Sequence, residues 1–169
     1  DGVQSVTTTI NDQIGSDLTP GTADTVLVTL AGPTDVVEGE TTTNYTVTLD
    51  TAIPAGGAGV VVNLTYTGTA TDGTDYTKVV SVTVPAGSDN ATFTLDTTDD
   101  VFADDGETII VAIDSVVDTD GVFEAIAEDG VQSVTTTIND QIGSDLTPGT
   151  ADTVLVTLAG PTDVVEGET

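Results

Sequence analysis

Apolar and polar residues alternate with a period of two through most of this chain. Tyr45, Val47 and Leu49 are interleaved with Thr46 and Thr48. Val60, Val62, Leu64 and Tyr66 are interleaved with Val61, Asn63, Thr65 and Thr67, and Ala91, Phe93 and Leu95 with Thr92, Thr94 and Asp96. Alternation of this kind sends one set of side chains to a covered face and the other to a wet one, the mark of a strand packed on a core along one side. The same reading predicts strands over about 25–30 (resuming at 34–38), 77–84, 107–113 with Ile109, Val111 and Ile113 on one face, and 131–138. Between them stand PAGGAG, DGTD and PAGSD, where Gly, Pro and Asp supply turn conformations. No stretch repeats apolar residues at helical spacing. Seven short strands in roughly 115 residues predict an all-β chain, an immunoglobulin-like antiparallel sandwich. A closed barrel is the alternative for the same strands. Tyr45, Tyr66 and Phe93 fall on the predicted inward faces.

A repeat frames these strands. Residues 1–41 return without a change as 129–169, a period of 128 residues. That is the size of a whole domain rather than of a solenoid turn. The chain therefore reads as a piece of a tandem array: 1–12 as the last strand of a preceding repeat, 13–24 as a linker, 25–140 as one complete sandwich, 141–153 as the next linker, and 154–169 as the first strand of the following repeat. The linkers carry Gly, Pro, Ser and Asp with few apolar residues. The two end pieces lack their sheet partners, present open edges, and are expected to pair with a neighbouring chain or fold back on it.

Composition narrows the chemistry. The chain has 29 acidic residues against one basic residue, Lys78, a formal net charge of −28, and no His, Cys, Met or Trp. Imidazole and thiolate catalysis, thiolate zinc sites and disulfides are thereby excluded. A single cation cannot neutralise phosphates, so nucleic acid is not a partner. Nor does any apolar run reach the length of a membrane span, and direct membrane insertion is not expected. Acidity alone would suggest disorder, but 37% hydrophobic residues and a mean hydropathy of +0.15 argue for a folded β-rich domain. Carboxylates without counter-charges call for a hard divalent cation bound through oxygen, Ca²⁺ or Mg²⁺.

The predicted topology concentrates those carboxylates. In an antiparallel sandwich, the turn after the first strand, with Glu38 and Glu40, shares one end with the loop carrying Asp72 and Asp75 and with the segment DTTDDVFADDGE. That segment holds Asp96, Asp99, Asp100, Asp104, Asp105 and Glu107, and the last strand finishes at the same end with Asn139 and Asp140. Carboxylates this close repel, and a cation among them relieves the repulsion. Acids at the opposite end (Asp114, Asp118, Asp120, Glu124, Glu128 and Asp129) read equally well as ligands at a repeat junction or as ordinary surface. No EF-hand spacing occurs.

Val37-Glu38-Gly39, the segment YTGTATDGTDY at 66–76, Pro85-Ala86-Gly87, Asp99-Asp100 and Asp105-Gly106-Glu107 together resemble the Calx-β pattern over about 36–113. The resemblance implies an immunoglobulin-like sandwich binding Ca²⁺ at one end, with metal roles for Glu38, Asp75, Asp99, Asp100 and Glu107 and for Asp140 at the end of the last strand. Asp105 is added from its place in the same acidic loop. The chain departs from the pattern in lacking a run of aspartates after the last strand. A long, acidic, cysteine-free array of this kind also resembles the extender region of giant bacterial RTX adhesins. That resemblance implies a secreted, extracellular spacer, stiffened by calcium, whose partners are neighbouring repeats and which holds a terminal ligand-binding region away from the cell for adhesion or biofilm formation. A Ca²⁺-dependent glycan- or surface-binding module is the alternative. No enzyme is expected, because two carboxylates could in principle hydrolyse a glycoside but no substrate-stacking aromatics accompany them.

Overall fold

The computed structural model describes residues 5–9, 24–100, 106–140, 156–163 and 165–167. Eleven strands appear among them and no helix. They are β1 (Thr25–Ala31), β2 (Asp35–Val37), β3 (Tyr45–Leu49), β4 (Val60–Gly68), β5 (Tyr76–Thr77), β6 (Ser81–Val84), β7 (Asn90–Phe93), β8 (Asp96–Thr97), β9 (Glu107–Asp118), β10 (Ala125–Glu128) and β11 (Ser133–Asn139). Two sheets form, in the orders β10-β1-β3-β7 and β2-β11-β9-β4-β6, with a two-stranded β5-β8 ribbon at one end. Their inner faces share one core, in which Val28, Val47, Val60, Val62, Ile109, Val111 and Ile138 are fully buried. The architecture is the immunoglobulin-like sandwich that the alternation predicts.

Four details depart from the expected strands. The first strand changes sheets between β1 and β2, so its second half pairs in parallel with β11. The predicted 77–84 and 91–96 strands are each broken in two. A strand in the connection before β11 was not foreseen: β10 runs parallel to β1 along the sheet edge. It is four residues of Ala, Ile and Glu, too short and too weakly apolar for a period to register. Strand β9 also runs five residues past the predicted end, because a register shift opposite Asn63 and Leu64 absorbs Asp114 and interrupts the alternation.

The sheet change depends on a contact that only glycine permits. A Cβ on Gly32 would stand 2.3 Å from Cδ1 of Tyr45. The Tyr45 ring stacks on Phe93 across β3 and β7 at 5.0 Å, and its hydroxyl bonds Thr136 in the opposite sheet. Thr136 donates its own proton to the Pro33 carbonyl at 2.8 Å, so Tyr45 is the donor to Thr136. One phenol thus links β3, β11 and the crossover. Tyr66 is half-buried and donates to Val79 O at 2.7 Å.

The duplicated sequence supplies an internal control. Val28 is fully buried and Leu30 is 7% exposed, whereas their counterparts Val156 and Leu158 are 92% and 99% exposed. Residues 156–163 form no strand, and neither do 5–9, although the identical 133–137 lie in β11. The same residues become strand only where neighbouring strands satisfy their backbone and cover their apolar face.

Burial raises the pKa of all three tyrosines above 10.0, with Tyr66 shifted furthest. Between the unfolded value and the raised folded values the unfolded chain loses protons that the native chain keeps, so stability falls as pH rises above about 10. The expected outcome is that tyrosinate absorbance in the ultraviolet stays low through pH 10 and then rises together with loss of the β-sheet circular dichroism. A simple phenol titration centred at 10 in the still-folded protein would contradict the burial of Tyr45, Tyr66 and Tyr76.

Candidate metal centre

One end of the sandwich is assembled from three loops held by backbone bonds. Thr42 N donates to Leu95 O at 2.9 Å, Thr97 N to Glu40 O at 3.0 Å, and Thr98 N to Asp75 O at 2.9 Å. Thr69 N and Ala70 N both donate to Thr108 O. The buried Thr97 hydroxyl lies within hydrogen-bonding reach of Val37 O and Glu40 O, at 3.1 and 2.7 Å. The turn after β2, the loop after β4 and the segment before β9 therefore share one pole, as the strand directions require, and β11 ends among them.

Period-2 geometry then brings three acids onto the inner face at this pole. Val36 faces the core, and two residues on stands Glu38, 1% exposed. Ile138 faces the core, and two residues on stands Asp140, 2% exposed. Ile109 faces the core, and two residues before it stands Glu107, half-buried. The three strands are neighbours: Ile138 is opposite Val36 on β2 and opposite Glu107 on β9. Glu38 N donates to Asn139 O at 3.0 Å, carrying the parallel register one step past β2 and setting Glu38 beside Asp140. Buried carboxylates on adjacent strands are expensive unless something compensates their charge. Oδ1 of Asp140 is sealed from solvent and accepts no hydrogen bond, and the same holds for Oε2 of Glu38 and of Glu107. Both glutamates are engaged through further contacts.

The other candidates differ in their surroundings. Asp75 is 9% exposed and accepts from Thr71 N at 2.6 Å through Oδ2, which closes the turn before β5. Asp99 is exposed and Asp100 half-buried, just after the Thr98–Asp75 contact. Asp105 lies outside the described residues. Asp72 pairs with Lys78 at 2.8 Å. Bonding from the Lys78 side chain and backbone holds the Asp72 carboxyl below the ordinary aspartate range. Both partners are solvent-exposed, so the pair adds little to stability. Among the described residues, no three acidic side chains converge at metal-holding spacing. The chemistry of the donor set nevertheless suits calcium, since every candidate ligand is an oxygen and a buried carboxylate oxygen of Asp140 has no hydrogen-bond donor.

At the far pole four of the six acids accept from backbone amides. Asp118 accepts from Gly121 N at 3.1 Å and from Phe123 N at 2.9 Å. Asp120 accepts from Ala58 N, Glu124 from Asp24 N at 2.8 Å, and Glu128 from Gln132 N. Asp118 and Glu128 thus close local turns, while Asp120 and Glu124 tie distant segments, where the sequence left these acids undecided between ligands and surface. The buried Thr42 and Thr97, which tie the pole together, were not singled out from sequence: one Thr among many carries no distinguishing signal.

Gly68, where β4 enters the loop carrying Asp72 and Asp75, has φ +121, and a Cβ there would lie 2.0 Å from Thr108 O. Gly68→Ala is therefore expected to destabilise the fold by about 2 kcal/mol or more. Urea unfolding checks this: a midpoint equal to wild type would mean that β4 and β9 are not apposed there as described.

No sequence profile of a known family and no curated protein matches the chain. Solved structures do resemble it. The apo form of the Calx CBD1 domain aligns with a TM-score of 0.55 at 18% identity, covering 69% of this chain and 97% of that one. CBD12 from CALX1.2 aligns at 0.53 and 18% identity, covering 67% of this chain but 44% of its own, so the present chain spans less than half of it. A third, the calcium binding domain CBD12 of CALX1.1, gives 0.49 at 20% identity, over 66% and 44%. At these identities the first two establish the fold alone: the sandwich is Calx-β-like.

Proposed function

We propose that this chain is a calcium-binding spacer unit of a tandem array, carried on a secreted bacterial surface adhesin. The observation that carries the calcium reading is Asp140, whose buried Oδ1 accepts no hydrogen bond while the inner-face acids Glu38 and Glu107 stand on the two flanking strands. Glu38, Glu107 and Asp140 would hold the ion, with Asp75, Asp99, Asp100 and Asp105 completing an oxygen shell from the loops. Calcium would neutralise carboxylates that otherwise repel at that pole.

The spacer reading rests on position and repetition. Asp140 is the last residue of the sandwich before the linker 141–153, and the sequence returns after 128 residues. An ion tying Asp140 to Glu38 and Glu107 fixes where the linker leaves one 25–140 unit and thus how the next unit is held. Placement outside a bacterial cell is supported by the cysteine-free, acidic, repetitive sequence, which resembles adhesin extenders. Free calcium in such surroundings would keep the sites loaded.

Ion binding to the native state alone adds about 2.7 kcal/mol per site at a hundredfold excess over Kd. In a domain of this size that raises Tm by roughly 10 °C. Calorimetry in EDTA and in millimolar Ca²⁺ is expected to show that rise, and Asp140→Asn is expected to remove at least half of it. Equal melting of the wild-type chain in both buffers, or an undiminished calcium effect in Asp140→Asn, would sink the reading. For the spacer role, scattering from two whole consecutive repeats should show a longer maximum dimension with calcium than with EDTA.

A further inference from the structure

Residues 153–167 repeat 25–39 letter for letter, and 1–12 repeat 129–140. Each copy therefore offers the sandwich the same side chains and backbone groups as the strand it duplicates. In the structure β1 takes the place between β10 and β3, with Val28 fully buried. Residues 156–163 form no strand, and Val156 and Leu158 are 92% and 99% exposed. Contacts cannot decide between two identical strands, so the choice lies in how each is tethered. We propose that the length of the linker is the selector. It is too short to let the first strand of one repeat fill the β1 place in the preceding sandwich, or the last strand of one repeat fill the β11 place in the following one.

The geometry of the two ends sets the requirement. Leu30 N bonds Oε1 of Gln132 at 3.2 Å, and Ile113 N bonds Gln132 O at 3.3 Å. At Leu30, β1 is thus level with Ile113, and it begins five residues, about 17 Å, nearer the far pole. Ile113 is six residues, about 20 Å, along β9 from Glu107, which is opposite Ile138. Asp140 stands two residues further out. The start of β1 and the end of β11 are therefore about 40 Å apart, at opposite poles. In either exchange one linker must bridge that distance, from Asp140 to Thr153 or from Asp12 to Thr25. Each linker has twelve residues. Drawn out fully, such a chain covers about 43–47 Å, whereas as a flexible coil it averages about 20 Å. Bridging would therefore consume nearly all of its conformational freedom. The resident strand meets no such demand, because 38–44 joins β2 to β3 within one pole. Without this restraint identical repeats would trade strands, a characteristic misassembly of repeat proteins.

The test disables the resident strand and asks whether its copy can replace it. Val28→Asp with Leu30→Asp puts two charges into the core of the full chain. With the native linker this variant is expected to lose its cooperative urea transition in circular dichroism, with less than about a tenth of the chains folded in water. Ten Gly and Ser residues inserted between Gly149 and Thr150 extend the reach to about 75 Å. The insertion is expected to restore a cooperative transition, in a species that sediments as a monomer at low micromolar concentration. Adding Val156→Asp is expected to abolish that rescue. All variants are compared in one buffer, so the outcome is separate from that of the calcium reading. Cooperative folding of the doubly substituted chain with its native linker would overturn the proposal. So would an insertion that fails to rescue, a rescue confined to dimers, or one that survives Val156→Asp.

Discussion

The organisation of this domain depends on inner-face alternation carried one step beyond the apolar core. On β2, β9 and β11 the inward positions read Val36 then Glu38, Ile109 preceded by Glu107, and Ile138 then Asp140. The hydrophobic interior fixes the registers, and the registers in turn leave three carboxylates no choice of face. A one-residue slip would release Glu38 and Asp140 to water and turn Val36 and Ile138 outward with them. Core packing therefore decides which face these three carboxylates take, against the cost of burying charge there.

Much of the fold was legible because the alternation was long and clean. Strands β1, β3, β4 and β11 begin and end near where Val, Ile, Leu and Thr interleave. What escaped has identifiable physical causes. The four residues of β10 gain their strand character from β1 beside them, and the end of β9 is hidden by the bulge at Asp114. The loops at the acidic pole were grouped correctly because strand direction alone determines which turns share an end. The sequence could not rank the acids within that pole. Asp72 and Asp75 stand three residues apart in one turn, yet Asp72 faces Lys78 in solvent while Asp75 is buried against Thr71. At the other pole, Asp118, Asp120, Glu124 and Glu128 had the same composition signal as ligands and proved to be acceptors for backbone amides.

Context decides structure here in a way the repeat makes unusually plain. Val28 and Val156 share the same flanking residues, yet one is sealed in the core and the other stands in solvent. Propensity and local sequence are identical, so the whole difference is the presence of β3 and β10 on either side. For an array this means that a unit is complete only when its own strands β1 through β11 are together.

Strand β2 belongs to the first part of the sandwich and β11 closes it, and the two run parallel in register at Asp35–Thr137, Val36–Ile138 and Val37–Asn139. If the chain were stretched from both ends, β1 and β11 would be drawn toward opposite poles. The parallel ladder would then slide lengthwise rather than peel open one bond at a time. Its backbone bonds would carry the load together, along with the Tyr45–Thr136–Pro33 link that spans the crossover. The topology therefore sets end-to-end pulling against a sheared ladder rather than a peeled one.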